Sequence, residues 1–217
     1  MVKTLSSVTM RWSIRYGSGF FLAALVAVVL AACGKASPKL VPLSADAVVL
    51  AFGDSITYGT GASQEESYPA VLGRLTGRTV INAGIPGEVT AEGVARLPAT
   101  LDSYRPALMI LCLGGNDFLR RLDEQQAADN IRAMVRLARE KGVNVVLIGV
   151  PKLGLSPSPP EFYRQIARES GIPYEGDVLK RVLTKKSLKA DYIHPNAEGY
   201  KMFAEGVAAL LKKSGAL

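Results

Sequence analysis

Two segments of the chain carry side chains suited to acyl-transfer chemistry. Ser55 directly follows an apolar run in "AFGDSITYG", which covers residues 51–59. His194 is the only histidine among 217 residues, and Asp191 precedes it by three positions in "DYIHPN". A serine hydroxyl becomes a good nucleophile when a neutral imidazole removes its proton, and a carboxylate orients that imidazole. Ser55, His194 and Asp191 are therefore a candidate nucleophile, its base and the acid that positions the base.

Two further segments offer donors to the oxyanion that such a reaction creates. Gly87 lies in "NAGIPGEVT" and Asn116 in "GGND", and each segment follows an apolar run. The N–H groups of Ser55 and Gly87 and the carboxamide of Asn116 are donors of the required kind. Taken singly, each segment has a plainer interpretation, as a helix cap, an ordinary loop or a structural histidine. The combination is what makes the pattern specific.

The apolar runs predict a parallel β-sheet. They lack polar alternation, which indicates strands buried on both faces, and they cover residues 47–52, 79–81, 107–113 and 143–150. Helical patterns lie between and after them, most clearly over 123–141 and near the C-terminus, while Pro98 is expected to kink or restart a third helix. This alternation predicts a three-layer αβα sandwich, in which ligands bind at the carboxyl ends of the strands.

Four blocks of the sequence resemble those of the SGNH, or GDSL, hydrolases. The blocks are "FGDSIT", "INAGIPGEVT", "LGGND" and "DYIHPNAEGY", and they stand in the order of that family between residues 52 and 200. The resemblance is greatest to the bacterial branch of thioesterases, lysophospholipases and arylesterases. It implies a flavodoxin-like fold, with Ser55 as nucleophile, His194 as base, Asp191 as its partner, and Gly87 and Asn116 completing the oxyanion hole.

The sequence departs from this branch near the predicted oxyanion glycine. Pro86 precedes Gly87 and Glu88 follows it, where relatives often have a small polar residue and an Asp. Tyr58 adds bulk after the serine block. The nucleophile does not lie in a G-x-S-x-G motif, so we expect a looser strand-to-helix turn than the elbow of the α/β-hydrolases. The acyl preference of the branch is therefore not transferred to this chain.

The favoured function is a serine esterase that cleaves carboxylic esters, or thioesters, through an acyl-enzyme. The candidate substrates are lysophospholipids, short acyl esters and aryl esters. Two alternatives are a carbohydrate O-acetylesterase of the cell envelope and an envelope-binding lipoprotein without catalysis. The segment 153–162, which follows the fourth predicted strand, is either a wall or lid for the acyl chain or an ordinary loop stiffened by proline.

The proposed chemistry needs no cofactor, and the composition argues against a metal or a nucleic acid. "GTGAS" (59–63) has two glycines of a dinucleotide loop but lacks the third, and the chain has no P-loop motif. One histidine and two cysteines are too few for a zinc-type cluster. If Cys33 is acylated, Cys112 has no disulfide partner and is expected to be a buried small hydrophobic residue. An exported protein without aromatic residues interleaved among its cations is a poor candidate for nucleic-acid binding.

The first 32 residues have the features of an export signal. They contain an apolar stretch over 20–32, shorter than the roughly 20 residues that a membrane-spanning helix requires, and their only charges are Lys3, Arg11 and Arg15. "LAAC", ending at Cys33, resembles the lipobox of bacterial lipoprotein precursors. We therefore predict a signal peptide over 1–32, an acylated Cys33, a proline-containing tether over 33–45 and a hydrolase domain over 46–217.

An uncleaved membrane anchor is the alternative interpretation of this leader. Both interpretations place the domain outside the cytoplasm, in the bacterial cell envelope on the periplasmic side or secreted. The formal charge is +7, and the cations include a late group that forms either a solvated face or a surface attracted to anionic lipid headgroups: Lys180, Arg181, Lys185, Lys186 and Lys189.

Overall fold

A parallel five-stranded sheet lies at the centre of the domain. The computed structural model describes residues 38–154 and 157–217. The strand order is β2-β1-β3-β4-β5, and every pair of neighbours is parallel. The strands are β1 (Val48–Gly53), β2 (Thr79–Gly84), β3 (Leu108–Cys112), β4 (Asn144–Ile148) and β5 (Tyr174–Glu175). This is the flavodoxin-like order of a doubly wound sheet, which places a ligand crevice at the carboxyl ends of β1 and β3.

Helices cover both faces of the sheet. They are α1 (Ser55–Tyr58), α2 (Tyr68–Thr76), α3 (Thr90–Tyr104), α4 (Gly115–Leu119), α5 (Glu124–Glu140), α6 (Glu161–Ser170), α7 (Val178–Thr184) and α8 (Ala197–Lys213). On one face α2 packs against α8, where the rings of Tyr68 and Phe203 lie 4.5 Å apart. On the other face α3 packs against α5. The predicted three-layer αβα sandwich is confirmed.

The central strands are buried on both faces, as the apolar runs predict. β3 is buried at every position, and β1 and β4 are buried at all but their first residue. The prediction is wrong for β2, which is partly exposed along its length because it is an edge strand that pairs only with β1. Cys112 at the end of β3 is fully buried, in agreement with its predicted role as a small hydrophobic residue.

The helix that contains Pro98 continues as a single element. α3 covers Thr90–Tyr104 without interruption, so it does not restart at this proline. Its buried side chains include Leu97 and Leu101, which pack into the core. The spacing of these apolar residues predicted the helix, and their burial offsets the hydrogen bond that Pro98 cannot donate.

The folded domain begins earlier than the predicted boundary at Asp46. The Leu40 N–H donates to the carbonyl of Ser214 at 2.8 Å, and the Leu43 N–H donates to that of Ala216 at 2.9 Å. Leu43 is buried in the core. The prediction of a tether over 33–45 is therefore wrong for its last residues, because Leu40 and Leu43 pair with the segment that follows α8.

Cys33 and the predicted signal peptide lie outside the described residues. Within the described ranges, none of the helices combines the length and the hydrophobicity needed to cross a bilayer.

Candidate active site

Ser55 is held at the carboxyl end of β1 by a short helical turn. Asp54 is the N-cap of α1, and its Oδ1 accepts a hydrogen bond from the Ile56 N–H at 3.1 Å. Ser55 is the first residue of α1, where a backbone N–H has no acceptor within the helix. The cap and the candidate nucleophile are thus two adjacent residues, and the hydroxyl and the N–H of Ser55 are both available at the crevice.

The side chains of Ser55, His194 and Asp191 form a continuous hydrogen-bonded relay. His194 Nε2 lies 3.0 Å from Ser55 Oγ, and His194 Nδ1 lies 2.7 Å from Asp191 Oδ2. Since a carboxylate only accepts hydrogen bonds, Nδ1 carries the imidazole proton and Nε2 is free to accept the serine proton. The sequence predicted this grouping, and the structure brings the three residues together.

Asp191 is fixed by the backbone of its own loop. Its Oδ1 accepts hydrogen bonds from the N–H groups of Ile193 and His194, each at 2.8 Å. Desolvation raises the pKa of Asp191, but the hydrogen bonds from the His194 ring and from these two N–H groups outweigh it, so that the pKa lies below its ordinary value. Asp191 is therefore an anion whenever His194 is required as a base.

Gly61 packs closely against the loop that carries His194. A Cβ at position 61 would lie 2.5 Å from the Pro195 carbonyl and 3.4 Å from the His194 Cβ, and the φ of Gly61 is +101°. Only glycine allows both this approach and this backbone conformation. In the sequence, this glycine stands out only as part of an incomplete dinucleotide loop. Its relation to His194 was not predictable, because it depends on how the loop after α1 packs against the His194 loop.

The predicted oxyanion donors come from the loops that follow β2 and β3. Gly87 has a φ of +83°, and its N–H makes no hydrogen bond within the described residues. The Asn116 Nδ2 donates to the Glu88 carbonyl at 2.9 Å and lies 3.4 Å from Asp54 Oδ2. The carboxamide is thereby held beside Gly87 and next to the cap of the serine turn.

Two side chains, Asp117 and Arg120, join these two loops, and a third, Arg96, holds the loop after β2; none of the three was predicted from the sequence. The buried Asp117 accepts hydrogen bonds from the Thr90 N–H at 2.9 Å and from the Thr90 hydroxyl at 2.6 Å. Arg120 donates to the Gly87 carbonyl at 2.6 Å. Arg96 pairs with Glu88 and donates to the Ala83 carbonyl at 2.9 Å. The loop that carries Gly87 and the helix that carries Asn116 are consequently fixed relative to each other.

Asp54 is an unusual acid, because it is buried directly beneath the serine turn. Desolvation raises its pKa to about 7, and the nearby Glu88 and Asp117 carboxylates add to the rise. The backbone N–H of Ile56 opposes it. In the part of the chain that the structure describes, no group of three or more His, Cys, Asp or Glu side chains is placed to hold a metal ion.

The raised pKa of Asp54 predicts that Asp54→Asn stabilises the protein above neutral pH. Between the ordinary pKa of 3.8 and about 7, the folded state retains a proton that the unfolded state has released, so stability falls as the pH rises through this window. Asn keeps the capping acceptor without the charge. Urea unfolding at about pH 8 should show a free energy of unfolding higher by on the order of 2–4 kcal/mol, with little change at about pH 4.

Asp46→Asn is the matched control for this prediction. Asp46 is fully exposed, and a hydrogen bond from Ser44 is the main cause that lowers its pKa. Its replacement should give no gain in stability above neutral pH. A loss of stability in Asp54→Asn at alkaline pH would show that the buried carboxylate is a net stabilising anion and contradict our account.

A mostly apolar cleft opens beside Ser55 and His194. Gly115, Asn116 and Pro151 border it, and its other lining residues are Asp54, Ile56, Phe118, Leu119, Val150, Lys152, Leu153, Leu183 and Ile193. Leu153 belongs to the predicted segment 153–162, of which residues 155 and 156 lie outside the described residues. This contact supports the interpretation of that segment as a wall of the cleft; a lid movement remains a prediction.

Comparison with known proteins identifies the family of the chain. The model of the GDSL-like Lipase/Acylhydrolase family matches residues 51–202. An arylesterase of Vibrio mimicus is 33% identical over 195 residues, which cover 85% of this chain and 93% of the relative. Thioesterase 1/protease 1/lysophospholipase L1 of Escherichia coli is 28% identical over 172 residues, covering 76% of this chain and 83% of the relative. The crystal structure of TesA superimposes with a TM-score of 0.68 at 30% identity, over 76% of this chain and 98% of TesA.

The fold and the relay therefore define a serine hydrolase of the flavodoxin-like type. The chain belongs to the GDSL-like Lipase/Acylhydrolase family, and it is a serine esterase.

Proposed function

We propose that the chain hydrolyses carboxylic esters through an acyl-enzyme on Ser55. The observation that carries this proposal is the relay in which His194 contacts Ser55 Oγ with one ring nitrogen, at 3.0 Å, and Asp191 with the other, at 2.7 Å. Such an arrangement supplies a base for the hydroxyl proton and an anion that stabilises the imidazolium. No cofactor takes part in these steps.

Acylation begins when Ser55 Oγ attacks the carbonyl carbon of the ester. His194 Nε2 takes the hydroxyl proton as the new C–O bond forms, and the carbonyl oxygen becomes an oxyanion. The N–H groups of Ser55 and Gly87 and one hydrogen of the Asn116 carboxamide donate to that oxyanion. The imidazolium then returns the proton to the leaving alkoxide, so that an alcohol departs and the acyl group remains on Ser55.

Deacylation repeats the same steps with water in place of the serine hydroxyl. His194 removes a proton from the water, which attacks the acyl carbon, and the same donors stabilise the second oxyanion. The proton returns to Ser55 Oγ as the carboxylic acid leaves. A thioester follows the same route with a thiolate as leaving group, so the site supports thioester hydrolysis as well.

The cleft is suited to small ester molecules with an apolar acyl or aryl group. Leu119, Val150 and Leu183 line it beside the serine and offer no charge to the substrate. The relatives named arylesterase and thioesterase/lysophospholipase point to the same substrate class. We infer that short acyl esters, aryl esters and lysophospholipids are substrates.

The cleft predicts that Leu119→Ala weakens turnover of longer acyl esters. Leu119 lines the cleft, and truncation removes apolar contact that only a chain of several methylenes uses. We expect kcat/KM for p-nitrophenyl octanoate to fall about fivefold, with little change for the acetate, because a few methyl or methylene contacts contribute on the order of 1 kcal/mol. The measurement is a series of p-nitrophenyl esters of increasing chain length.

Leu122→Ala is the control, since Leu122 is as exposed as Leu119 but does not line the cleft. It should leave the chain-length profile unchanged. Equal effects of the two variants, or loss of acetate turnover in Leu119→Ala, would show that the cleft does not bind the acyl chain. Turnover confined to acetyl esters would instead favour an O-acetylesterase.

We also propose that the chain is exported and anchored by lipid on Cys33, on the periplasmic side of the cell envelope. The support is the charged, then apolar leader and the lipobox-like "LAAC" that ends at Cys33. An acylated Cys33 has no free thiol, so it does not react with maleimide. The unsubstituted chain, purified from a bacterium, should therefore remain unlabelled by a maleimide dye.

A further inference from the structure

The chain enters the described domain at the amino ends of the strands, whereas the cleft lies at their carboxyl ends. α8 begins just after the His194 loop and ends at Lys213, and Lys39 and Leu40 line one depression together with Val143 and Asn144 at the amino end of β4. The Leu40 N–H donates to the carbonyl of Ser214, the residue after this helix, at 2.8 Å. The segment that precedes Leu40 therefore leaves the domain on the side away from Ser55.

Cations without acidic partners surround this entry point. They occupy the last turns of helices, the connections to the next strand or the segment before β1. None lies within salt-bridge distance of a carboxylate among the described residues: Lys39, Arg74, Arg105, Arg139 and Lys212 with its neighbour Lys213. Two other cations near this edge are paired, Lys141 with Asp102 and Arg136 with Glu140. We call this surface the amino-edge face.

Large apolar side chains are exposed among these cations. Val41 is 67% exposed, Leu75 48% and Tyr104 45%, and each adjoins one of the cations in sequence or lies two residues from it. Cationic groups interspersed with exposed leucine and aromatic side chains are typical of surfaces that lie on anionic lipid headgroups. Exposed acids lie at both edges, Asp46, Asp102 and Glu140 at the amino edge and Glu65, Glu66 and Asp123 at the cleft edge. The cleft edge also exposes large apolar side chains, among them Ile85, Leu122 and Tyr192. The amino-edge face is distinguished by the entry of the chain among its unpaired cations.

The length of the chain before Leu40 limits how the domain can face an anchoring bilayer. The seven residues from Cys33 to Leu40 reach at most about 25 Å when fully extended. A compact domain of this size is about 40 Å across. If Cys33 is held in a bilayer, a tether of this length cannot reach from the bilayer around the domain to an entry point on its far side. The cleft edge therefore cannot rest on that bilayer.

We propose that the amino-edge face lies on the anionic bilayer that holds Cys33, so that the cleft opens away from it. This inference rests on the lipid anchor of the proposed function. Each Lys or Arg near an anionic surface adds attraction, and the unpaired cations on this face supply several such contacts. Esters then reach Ser55 from the aqueous side, and the lipids of the anchoring leaflet are not its direct substrates.

Energy transfer from two matched positions to the bilayer tests the orientation. Leu75→Cys and Leu122→Cys replace equally exposed leucines at the amino edge and the cleft edge. Cys112 is fully buried, and an acylated Cys33 has no thiol, so a maleimide donor labels only the new cysteine. The full chain, processed in a bacterium, is placed in vesicles of phosphatidylglycerol and phosphatidylethanolamine that contain an acceptor lipid. We expect transfer from position 75 to exceed that from position 122 several-fold.

Neutralised lysine pairs test the role of charge in this orientation. Lys212 and Lys213 are adjacent and exposed at the amino edge, and Lys185 and Lys186 are adjacent and exposed near the cleft. Changing Lys212 and Lys213 to Gln should reduce the difference in transfer between the two positions, since fewer cations hold the face to the lipid. Changing Lys185 and Lys186 to Gln should leave the difference unchanged.

The outcomes distinguish this inference from the proposed esterase. Equal transfer from both positions, or stronger transfer from position 122, would overturn the orientation. Labelling of the unsubstituted chain would reveal a free Cys33 and overturn the anchor on which it rests. An effect of the Lys185 and Lys186 pair alone would show that another face meets the lipid. Hydrolysis of p-nitrophenyl acetate by both labelled chains, measured alongside, reports the esterase independently, because neither leucine belongs to the site.

Discussion

Ser55→Ala should lose essentially all esterase activity. The substitution removes the hydroxyl that His194 contacts at 3.0 Å, and no acyl-enzyme can form on Ser55 without it. Because members of such a relay act as one unit, the loss is expected to be at least about ten-thousandfold in kcat, with residual turnover due to binding and the oxyanion donors alone. The measurement is hydrolysis of p-nitrophenyl acetate under saturating substrate.

The fold should survive this change, so that the loss can be assigned to chemistry. Ser55 is the first residue of a short turn whose cap is Asp54, and alanine leaves that cap in place. Ser103→Ala is the control, because it removes a different exposed hydroxyl that donates to the Ala99 carbonyl at 2.9 Å. The control should retain full turnover. Activity of Ser55→Ala within tenfold of the unsubstituted protein would contradict the nucleophilic role.

Asp191→Asn is expected to have the second largest effect, about a thousandfold or more in kcat. Asparagine can still accept the N–H groups of Ile193 and His194 through Oδ1. Its NH₂ group would face His194 Nδ1, however, and favour the tautomer in which Nε2 carries the proton. His194 could then not accept the proton of Ser55. The relay would keep its geometry and lose its base.

Asp123→Asn serves as the control for this variant. Asp123 is an exposed acid at the same edge, and it accepts the Gln126 N–H at 2.6 Å as the cap of α5. Asparagine caps a helix as well as aspartate does, so kcat should stay unchanged. If Asp191→Asn lowers kcat by less than tenfold, the carboxylate is not needed to orient His194 or to stabilise its positive charge. The role assigned to Asp191 would then be incorrect.

The parts of the fold that follow from local pattern were predictable. β1, β3 and β4 are buried on both faces, and continuous apolar runs are what such strands require. β2 was predicted as a strand, but its exposure depends on a position at the edge of the sheet, which no local pattern encodes. β5 has two residues, too few to leave a periodic signal.

The relay was predictable for a different reason. Its three residues are rare in type or special in position: one histidine, an acid three residues before it and a serine directly after a strand. Parallel strands bring their carboxyl ends to one edge, so residues that follow strands converge without further information. The supporting contacts do not share this property. The pairing of Arg96 with Glu88 and of Asp117 with Thr90 depends on side-chain packing between distant segments.

The tether shows how composition alone can mislead. Residues 38–45 contain two prolines and no periodicity, which is typical of a linker. Leu40 and Leu43 nevertheless bond to the segment after α8, because their partners lie at the other end of the chain. This contact also determines where the predicted anchor meets the domain.

The most direct test of the account is the mass of the protein after reaction with diisopropyl fluorophosphate, followed by peptide mapping. We predict a single phosphoryl adduct on Ser55, absent from Ser55→Ala, with esterase activity lost in proportion to labelling. An adduct on another residue that abolishes turnover while Ser55 stays unmodified would contradict the central claim.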